Sequence, residues 1–289
     1  MTLIFVIFFG LLEPSPSLPR QYKRVTQCPL VVVRMLVTKE RTNEVGVWCV
    51  MWRWGITFVG YMKTLLVLHG AIGAAIQMAP LADALRAHYH VHVLDFSGHG
   101  GRVIGDAPFS IELFARDVLS YMEFHGLARV SVFGYSMGGY VGMYLARHHA
   151  DRVERVMTLA TKYWWDEAVA AKEVLMLNPD KIVAKLPVYA GTLMQRHEPQ
   201  DWKEVLHKTA EMMLAMGAHN PLSIDDYALI DKPCLILMGD RDKMVTLEET
   251  LQVYKAVPGA QLGILPGVPH PIEQVDAGML SFFIDRFMA

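Results

Sequence analysis

Apolar residues recur along this chain in two rhythms. Unbroken apolar runs at KTLLVLHG (63–70), HVHVLDFSGHG (90–100), VSVFG (130–134), RVMTLAT (155–161) and CLILMG (234–239) read as strands buried on both faces. QLGILPG (261–267) is a weaker strand of the same kind. Between the runs the spacing turns helical. IQMAPLADALRAHY (76–89) places Met78, Leu81 and Leu85 on one face. SIELFARDVLSYMEFHG (110–126) opens on Ser110, a good N-cap, and closes on Gly126. MGGYVGMYLARHH (137–149) and the closing AGMLSFFIDRFM (277–288) are further helices. Strand and helix alternating in this way predict an α/β fold, a mostly parallel central sheet with helices on both faces.

One interval breaks the alternation. From Thr161 to Asp231 there is no convincing strand, only helical patches such as DEAVAAKEVLML (166–177) and DWKEVLHKTAEMMLAMG (201–217). A stretch that long is not a loop in a compact domain. The pattern therefore predicts a core built from residues 62–161 and 229–289, with an inserted all-helical cap over 162–228. The cap carries Tyr163, Trp164, Trp165, Met176, Met194, Met212, Met213 and Met216. Most such residues pack, and those facing a site would make it apolar and adaptable.

The first 61 residues are of another character. TLIFVIFFGLL (2–12) is too short for a spanning helix and lacks the flanks of a secretory signal. PLVVVRMLV (29–37) and VGVWCVMWRWG (45–55) form a candidate hairpin across KERTNE (39–44). The plainer expectation is that residues 1–61 lie outside the evolved domain, with Met62 as an alternative start.

Composition narrows the function. The chain has 289 residues, 53% hydrophobic and 19% charged, with a net charge of −2. That balance suits a globular fold and offers no basic field for nucleic acid. Three scattered cysteines, Cys28, Cys49 and Cys234, make neither a disulfide framework nor a thiolate metal site. His88, His90 and His92 alternate onto one strand face, but no carboxylate or cysteine completes a metal set. The glycines of DFSGHGG do not run into a helix as a dinucleotide site requires, and no phosphate loop occurs. The expectation is no cofactor, no metal, no stable membrane span and a small-molecule substrate. A cytoplasmic location is expected, with the apolar N-terminal run leaving secretion or membrane association open; oligomeric state is also open.

The candidate chemistry centres on GYSMG (134–138), which places Ser136 between glycines where a strand hands over to a helix. A serine hydroxyl is a weak nucleophile until a base takes its proton. A sharp strand-to-helix turn lifts the hydroxyl clear of the sheet, and the helix N-terminus supplies N–H groups for a developing oxyanion. Such a site needs a donor after an earlier strand, an acid after a later one and a histidine later still. His69-Gly70-Ala71 supplies the first, with the Ala71 N–H as donor. GDRD (239–242) offers Asp240 and Asp242, and PGVPHPIE (266–273) offers His270. Ser, Asp, His is the chain order that this architecture expects.

Over about residues 62–289 these segments resemble the α/β-hydrolase family, most strongly at HGAIG (69–73), DFSGHG (95–100), GYSMGG (134–139), GDRD (239–242) and PGVPHPIE (266–273). The two strands that precede the HG segment in that family are only loosely supplied by residues 25–57. The resemblance implies that Ser136 attacks an acyl carbonyl, His270 accepts its proton, and Asp242, rather than Asp240, orients the imidazole. It implies an oxyanion hole from the N–H groups of Ala71 and Met137, and it puts the inserted cap where the family carries its lid. His69, Tyr135, Trp164 and Trp165 are the candidate pocket residues. His99 is expected to serve its loop, and Lys162 is expected to be solvated.

The leading function is hydrolysis of small carboxylic esters or thioesters with apolar groups, through an acyl-enzyme. Alternatives on the same triad are carbon–carbon bond hydrolysis or lysis of diketone-type acids, which would want a cation for the substrate acid, and perhydrolysis. Relatives that open epoxides or remove halogens use a carboxylate nucleophile, which Ser136 argues against. A small-molecule receptor on a hydrolase fold is the non-enzymatic alternative.

Overall fold

The computed structural model describes residues 62–289 in full, and residues 31–39, 42–52 and 55–58 as strand backbone. The chain divides into two units, Met1–Met62 and Lys63–Ala289. In the first, β1 (Val31–Lys39) pairs antiparallel with β2 (Thr42–Trp52), and β2 with β3 (Gly55–Phe58). The apolar run at 2–12 lies outside the described residues.

In the second unit all six predicted strands form one parallel sheet. They are β4 (Thr64–Leu68), β5 (His90–Leu94), β6 (Val130–Tyr135), β7 (Val153–Leu159), β8 (Cys234–Gly239) and β9 (Gln261–Leu265). Their spatial order is β5-β4-β6-β7-β8-β9. Alternate residues of each strand face opposite layers. Leu65, Val67, Phe133 and Leu237 pack on one face with α1 (Ala79–Leu85) and, from the chain's end, the helix Ala277–Met288. Leu66, Leu68, Val132 and Ile236 pack on the other with α2 (Ile111–Phe124) and α3 (Met137–His148). Each such fully buried Leu or Phe contributes roughly 1.5–3 kcal/mol.

Two expectations change in detail. The helix expected over 76–89 is shorter, because Pro80 fits only a first helical turn. A 3-10 turn, Ala75–Met78, precedes it. β5 is not buried on both faces: it is an edge strand, with His90 exposed and Val91, His92 and Val93 half-buried. Ser110 caps α2 as expected, its Oγ accepting from the Leu113 N–H at 3.1 Å.

The interval between β7 and β8 is helical throughout its regular structure. It holds α4 (Glu167–Glu173), α5 (Pro179–Lys185), α6 (Pro187–His197), α7 (Trp202–Ala218) and α8 (Ile224–Ala228). Leu177, Ile182, Leu193, Trp202 and Leu206 give this segment a small core of its own. Then α9 (Leu247–Ala256) follows β8, and α10 is the terminal helix Ala277–Met288. Among the described residues no helix is long and apolar enough to cross a membrane.

The sheet order positions the site. The chain leaves β4 for β5 on one side, then crosses to β6 on the other. The carboxyl ends of β4 and β6 therefore flank the point where the winding reverses, the usual crevice of an open parallel sheet.

Candidate active site

Ser136 stands between the last residue of β6 and the first of α3, at φ 51° and ψ −117°. Its N–H donates to the Leu159 carbonyl at 2.8 Å, and its carbonyl accepts from Thr161 Oγ1 at 3.1 Å and the Gly139 N–H at 3.0 Å. The turn is possible because its neighbours lack side chains. A Cβ on Gly134 would lie 2.2 Å from the Gly138 carbonyl oxygen, and one on Gly138 would lie 2.6 Å from the Leu68 oxygen. The non-glycine residues with positive φ among those described are Ile72, Ser136 and Ala160. They follow β4, β6 and β7, three neighbours in the sheet. Such conformations cost about 1–3 kcal/mol each and collect where geometry matters more than ease.

Gly70 backs directly onto the serine: a Cβ there would be 3.2 Å from Ser136 Cβ and 2.8 Å from Tyr135 Cε1. The Gly73 N–H donates to the Gly70 carbonyl at 3.1 Å, closing a turn that contains Ala71 and Ile72. Ala71 is half-buried, and Met137 opens α3, where the first N–H groups have no intrahelical acceptor. The two N–H groups expected to form an oxyanion hole thus belong to a turn and a helix start that flank Ser136.

Asp242 and His270 meet across the loops after β8 and β9. His270 Nδ1 donates to Asp242 Oδ2 at 2.7 Å. The carboxylate side chain is fully buried and the imidazole 13% exposed. Asp242 Oδ1 accepts from the N–H groups of Met244 at 2.8 Å and Val245 at 2.9 Å. Burial pushes this carboxyl up, but the bonds from His270, Val245 and Met244 outweigh it and hold it below the usual carboxylate range. With Nδ1 committed, Nε2 is the ring nitrogen left to act on a hydroxyl. Tyr135, the residue before the serine, ties the two halves together. Its hydroxyl donates to the His270 carbonyl at 3.0 Å, and the two ring centres lie 5.6 Å apart. Asp240, the other candidate acid, is half-exposed and accepts from the Gly267 N–H at 2.6 Å, so it clasps the loops rather than the imidazole.

The remaining expected residues fall in different places. His69 was expected on the pocket wall and is fully buried instead. Its Nδ1–H donates to the Gly70 carbonyl at 2.8 Å while Nε2 accepts from the Phe96 N–H at 3.2 Å. His99 is also fully buried, with Nδ1 donating to the Ser97 carbonyl at 3.0 Å, a loop role. Trp164 is 52% exposed and donates to Asp166 Oδ2 at 3.1 Å. Trp165 is half-buried against the core and donates to the Lys162 carbonyl at 3.2 Å. Lys162 is not solvated. Its ammonium is 3.7 Å from Glu173 and 3.6 Å from Glu249, in a largely buried triad that pins the start of the helical segment to α9. His88 and His92 turn to separate partners, Asp285 and Tyr121.

Two residues at this site had no local signal in the sequence. Arg196 Nη1 and His197 Nε2, the last residues of α6, both donate to the Ile72 carbonyl at 3.1 Å. These contacts span more than a hundred residues, and neither periodicity nor a motif marks them.

Comparison with known proteins agrees with this architecture. A family profile described as "Alpha/beta hydrolase family" matches residues 65–278. A Synechocystis protein provisionally named a non-heme chloroperoxidase is 26% identical over 228 residues, covering 71% of this chain and 83% of its own. A pimeloyl-[acyl-carrier protein] methyl ester esterase of Vibrio cholerae is 34% identical over 104 residues, covering 35% of this chain and 38% of its own. Among solved structures, the enol-lactonase from Burkholderia xenovorans LB400 aligns at a TM-score of 0.65 and 23% identity. It covers 79% of this chain and 92% of that one, which is a likeness of fold. The chain belongs to the alpha/beta hydrolase family.

Proposed function

We propose that this alpha/beta hydrolase cleaves small carboxylic esters or thioesters with apolar groups, using Ser136, His270 and Asp242 in turn. The observation that carries the reading is the His270–Asp242 bond at 2.7 Å, held beside the strained Ser136 turn by Tyr135. In the acylation step His270 Nε2 takes the Ser136 proton as Oγ bonds to the substrate carbonyl carbon. The carbonyl oxygen, now negative, is received by the N–H groups of Ala71 and Met137. The carbon–oxygen or carbon–sulfur bond of the leaving group then breaks, and the leaving group departs with the proton from His270. A water repeats the sequence on the acyl-serine: His270 takes its proton, the acid is released, and Ser136 regains its hydrogen. Asp242 accepts from Nδ1–H throughout, fixing the tautomer and stabilising the imidazolium while it exists.

The helical segment from α4 to α8 acts as the cap in this reading, and its methionines supply apolar, adaptable contacts. A diketone-type acid would need a cation for its carboxylate. Arg196 is a cation at the oxyanion loop, but its guanidinium is engaged by the Ile72 carbonyl and lies 3.4 Å from Glu273 Oε1. The ester reading is therefore preferred, and the esterase named among the relatives is in keeping with it.

A fluorophosphonate probe tests the nucleophile. The intact protein should label, Ser136→Ala should not, and the label should map to residue 136. Labelling that persists in Ser136→Ala would end the proposal. A series of p-nitrophenyl esters of rising chain length, with a thioester and a diketone acid beside them, then sorts the substrate classes.

A further inference from the structure

The turn between Gly70 and Gly73 is held in a shape that its own sequence does not favour. Ile72 sits at φ 50°, a region that a β-branched residue rarely adopts and where turns of this kind use glycine. If nothing else acted, Ile72 would relax about its N–Cα bond, turning the Ile72–Gly73 peptide plane, which carries the Ile72 carbonyl, against the Ala71–Ile72 plane before it. Two side chains meet that carbonyl. Arg196 Nη1 and His197 Nε2 each lie 3.1 Å from the Ile72 carbonyl oxygen.

The protonation pattern of His197 follows from its partners. The Gly100 N–H, in the loop after β5, can only donate, and it lies 3.3 Å from His197 Nδ1. Nδ1 is therefore an acceptor, and Nε2 carries the hydrogen that goes to Ile72. One neutral tautomer satisfies both contacts, inside a fully buried ring. Arg196 is 10% exposed along its side chain and also reaches Glu273, three residues beyond His270. Two consecutive residues of α6 thus join the loop after β4, the loop after β5 and the turn that follows His270.

We infer that Arg196 and His197 are positioning residues for the oxyanion loop, holding the Ile72 carbonyl so that the Ala71 N–H faces the oxygen of a carbonyl under attack by Ser136. This rests on the hydrolase reading above and extends it. The helical segment does more than cover a pocket: by docking its α6 end it completes the oxyanion hole, so an undocked segment leaves the serine present but the hole mis-set. Neither residue touches substrate, and their effect passes through Ile72.

The test uses the full chain and a fluorophosphonate, whose tetrahedral adduct needs the same hole whatever the natural substrate. Arg196→Met and His197→Leu should each slow labelling, and lower kcat on a p-nitrophenyl ester, by about 10- to 100-fold. KM should stay within about threefold, since the lost contact acts in the transition state. His197→Gln keeps an N–H where Nε2 was and should recover most of the loss, which a mere packing role would not predict. Arg196→Met, at the margin of the cluster, carries the test should His197→Leu fail to fold. Folded variants that label at the wild-type rate, or whose entire loss lies in KM, would overturn the clamp alone. A wild-type protein that does not label would withdraw the hydrolase reading on which the clamp depends.

Discussion

His270 and the trio of His69, His99 and His197 use one side chain in opposite ways. His270 is partly open and has a carboxylate on Nδ1 at 2.7 Å. The trio is fully buried, with His99 5.2 Å from His69 and 5.7 Å from His197 between ring centres. Five of its six ring nitrogens bond to backbone, at Gly70, Phe96, Ser97, Gly100 and Ile72, and the sixth, His99 Nε2, is buried without a partner. The nearest carboxylate to His69 Nε2 is Asp95, 4.0 Å away, too far for a bond. Burial therefore lowers the basicity of His69 and His197 to about 4, and that of His99 well below its usual value. The contrast separates two jobs. The imidazole proposed to accept and return a proton has an anion on Nδ1; the imidazoles that bond to loop backbone have no carboxylate within bonding distance.

The sharpest way to break this contrast is at His270. His270→Gln should lower kcat by about a million-fold if the three groups act as a unit, with melting temperature little changed. Asp242→Asn, which spoils the tautomer, should cost about ten-thousand-fold. Steady-state rates on an ester, beside thermal melts of the same preparations, check both; activity surviving in either variant would place the chemistry elsewhere.

The trio answers to stability instead. His69 and His197 bind protons more weakly folded than unfolded, so the unfolded state gains protons as pH falls from about 6.5 toward 4. Stability is full above that window and declines through it, by about 3 kcal/mol for each of the two groups. Urea midpoints measured from pH 7.5 to 4 should show the slope, and His197→Gln should flatten it while leaving His69's share. A flat profile in the wild type would contradict the neutral, buried assignment. The smallest effect belongs to Asp240. Asp240→Ala removes one half-exposed bond to Gly267 and should cost about 1 kcal/mol, with kcat within a few-fold of wild type. A large loss of activity there would mean that the wrong aspartate had been assigned to the imidazole.

Much of the fold was legible because its signals are local. Six apolar runs marked the six strands of the parallel sheet, and Ser110 marked the start of α2. GYSMG marked the strand-to-helix turn because close backbone approach excludes side chains at Gly134 and Gly138. Less visible were α5 and α6, which begin on prolines after a short link, and α9, although Thr246 and Glu249 form a capping box ahead of it. The surroundings of two polar side chains were least legible. His69 reads like a pocket residue because it precedes the Gly70–Gly73 turn, and its ring is fully buried between the Gly70 carbonyl and the Phe96 N–H. Lys162 reads as a surface charge, yet two glutamates from separate helices enclose it.

Hydrophobic rhythm and glycine placement, read from the chain alone, determine that an α/β sheet forms and that Ser136 stands at its crest, since both depend on neighbours within a few residues. Which residues of α6 grip Ile72, and which glutamates enclose Lys162, are decided only when distant segments converge. Those choices turn on ångström-scale distances and on which polar groups lose their water together, and no spacing along the chain encodes either.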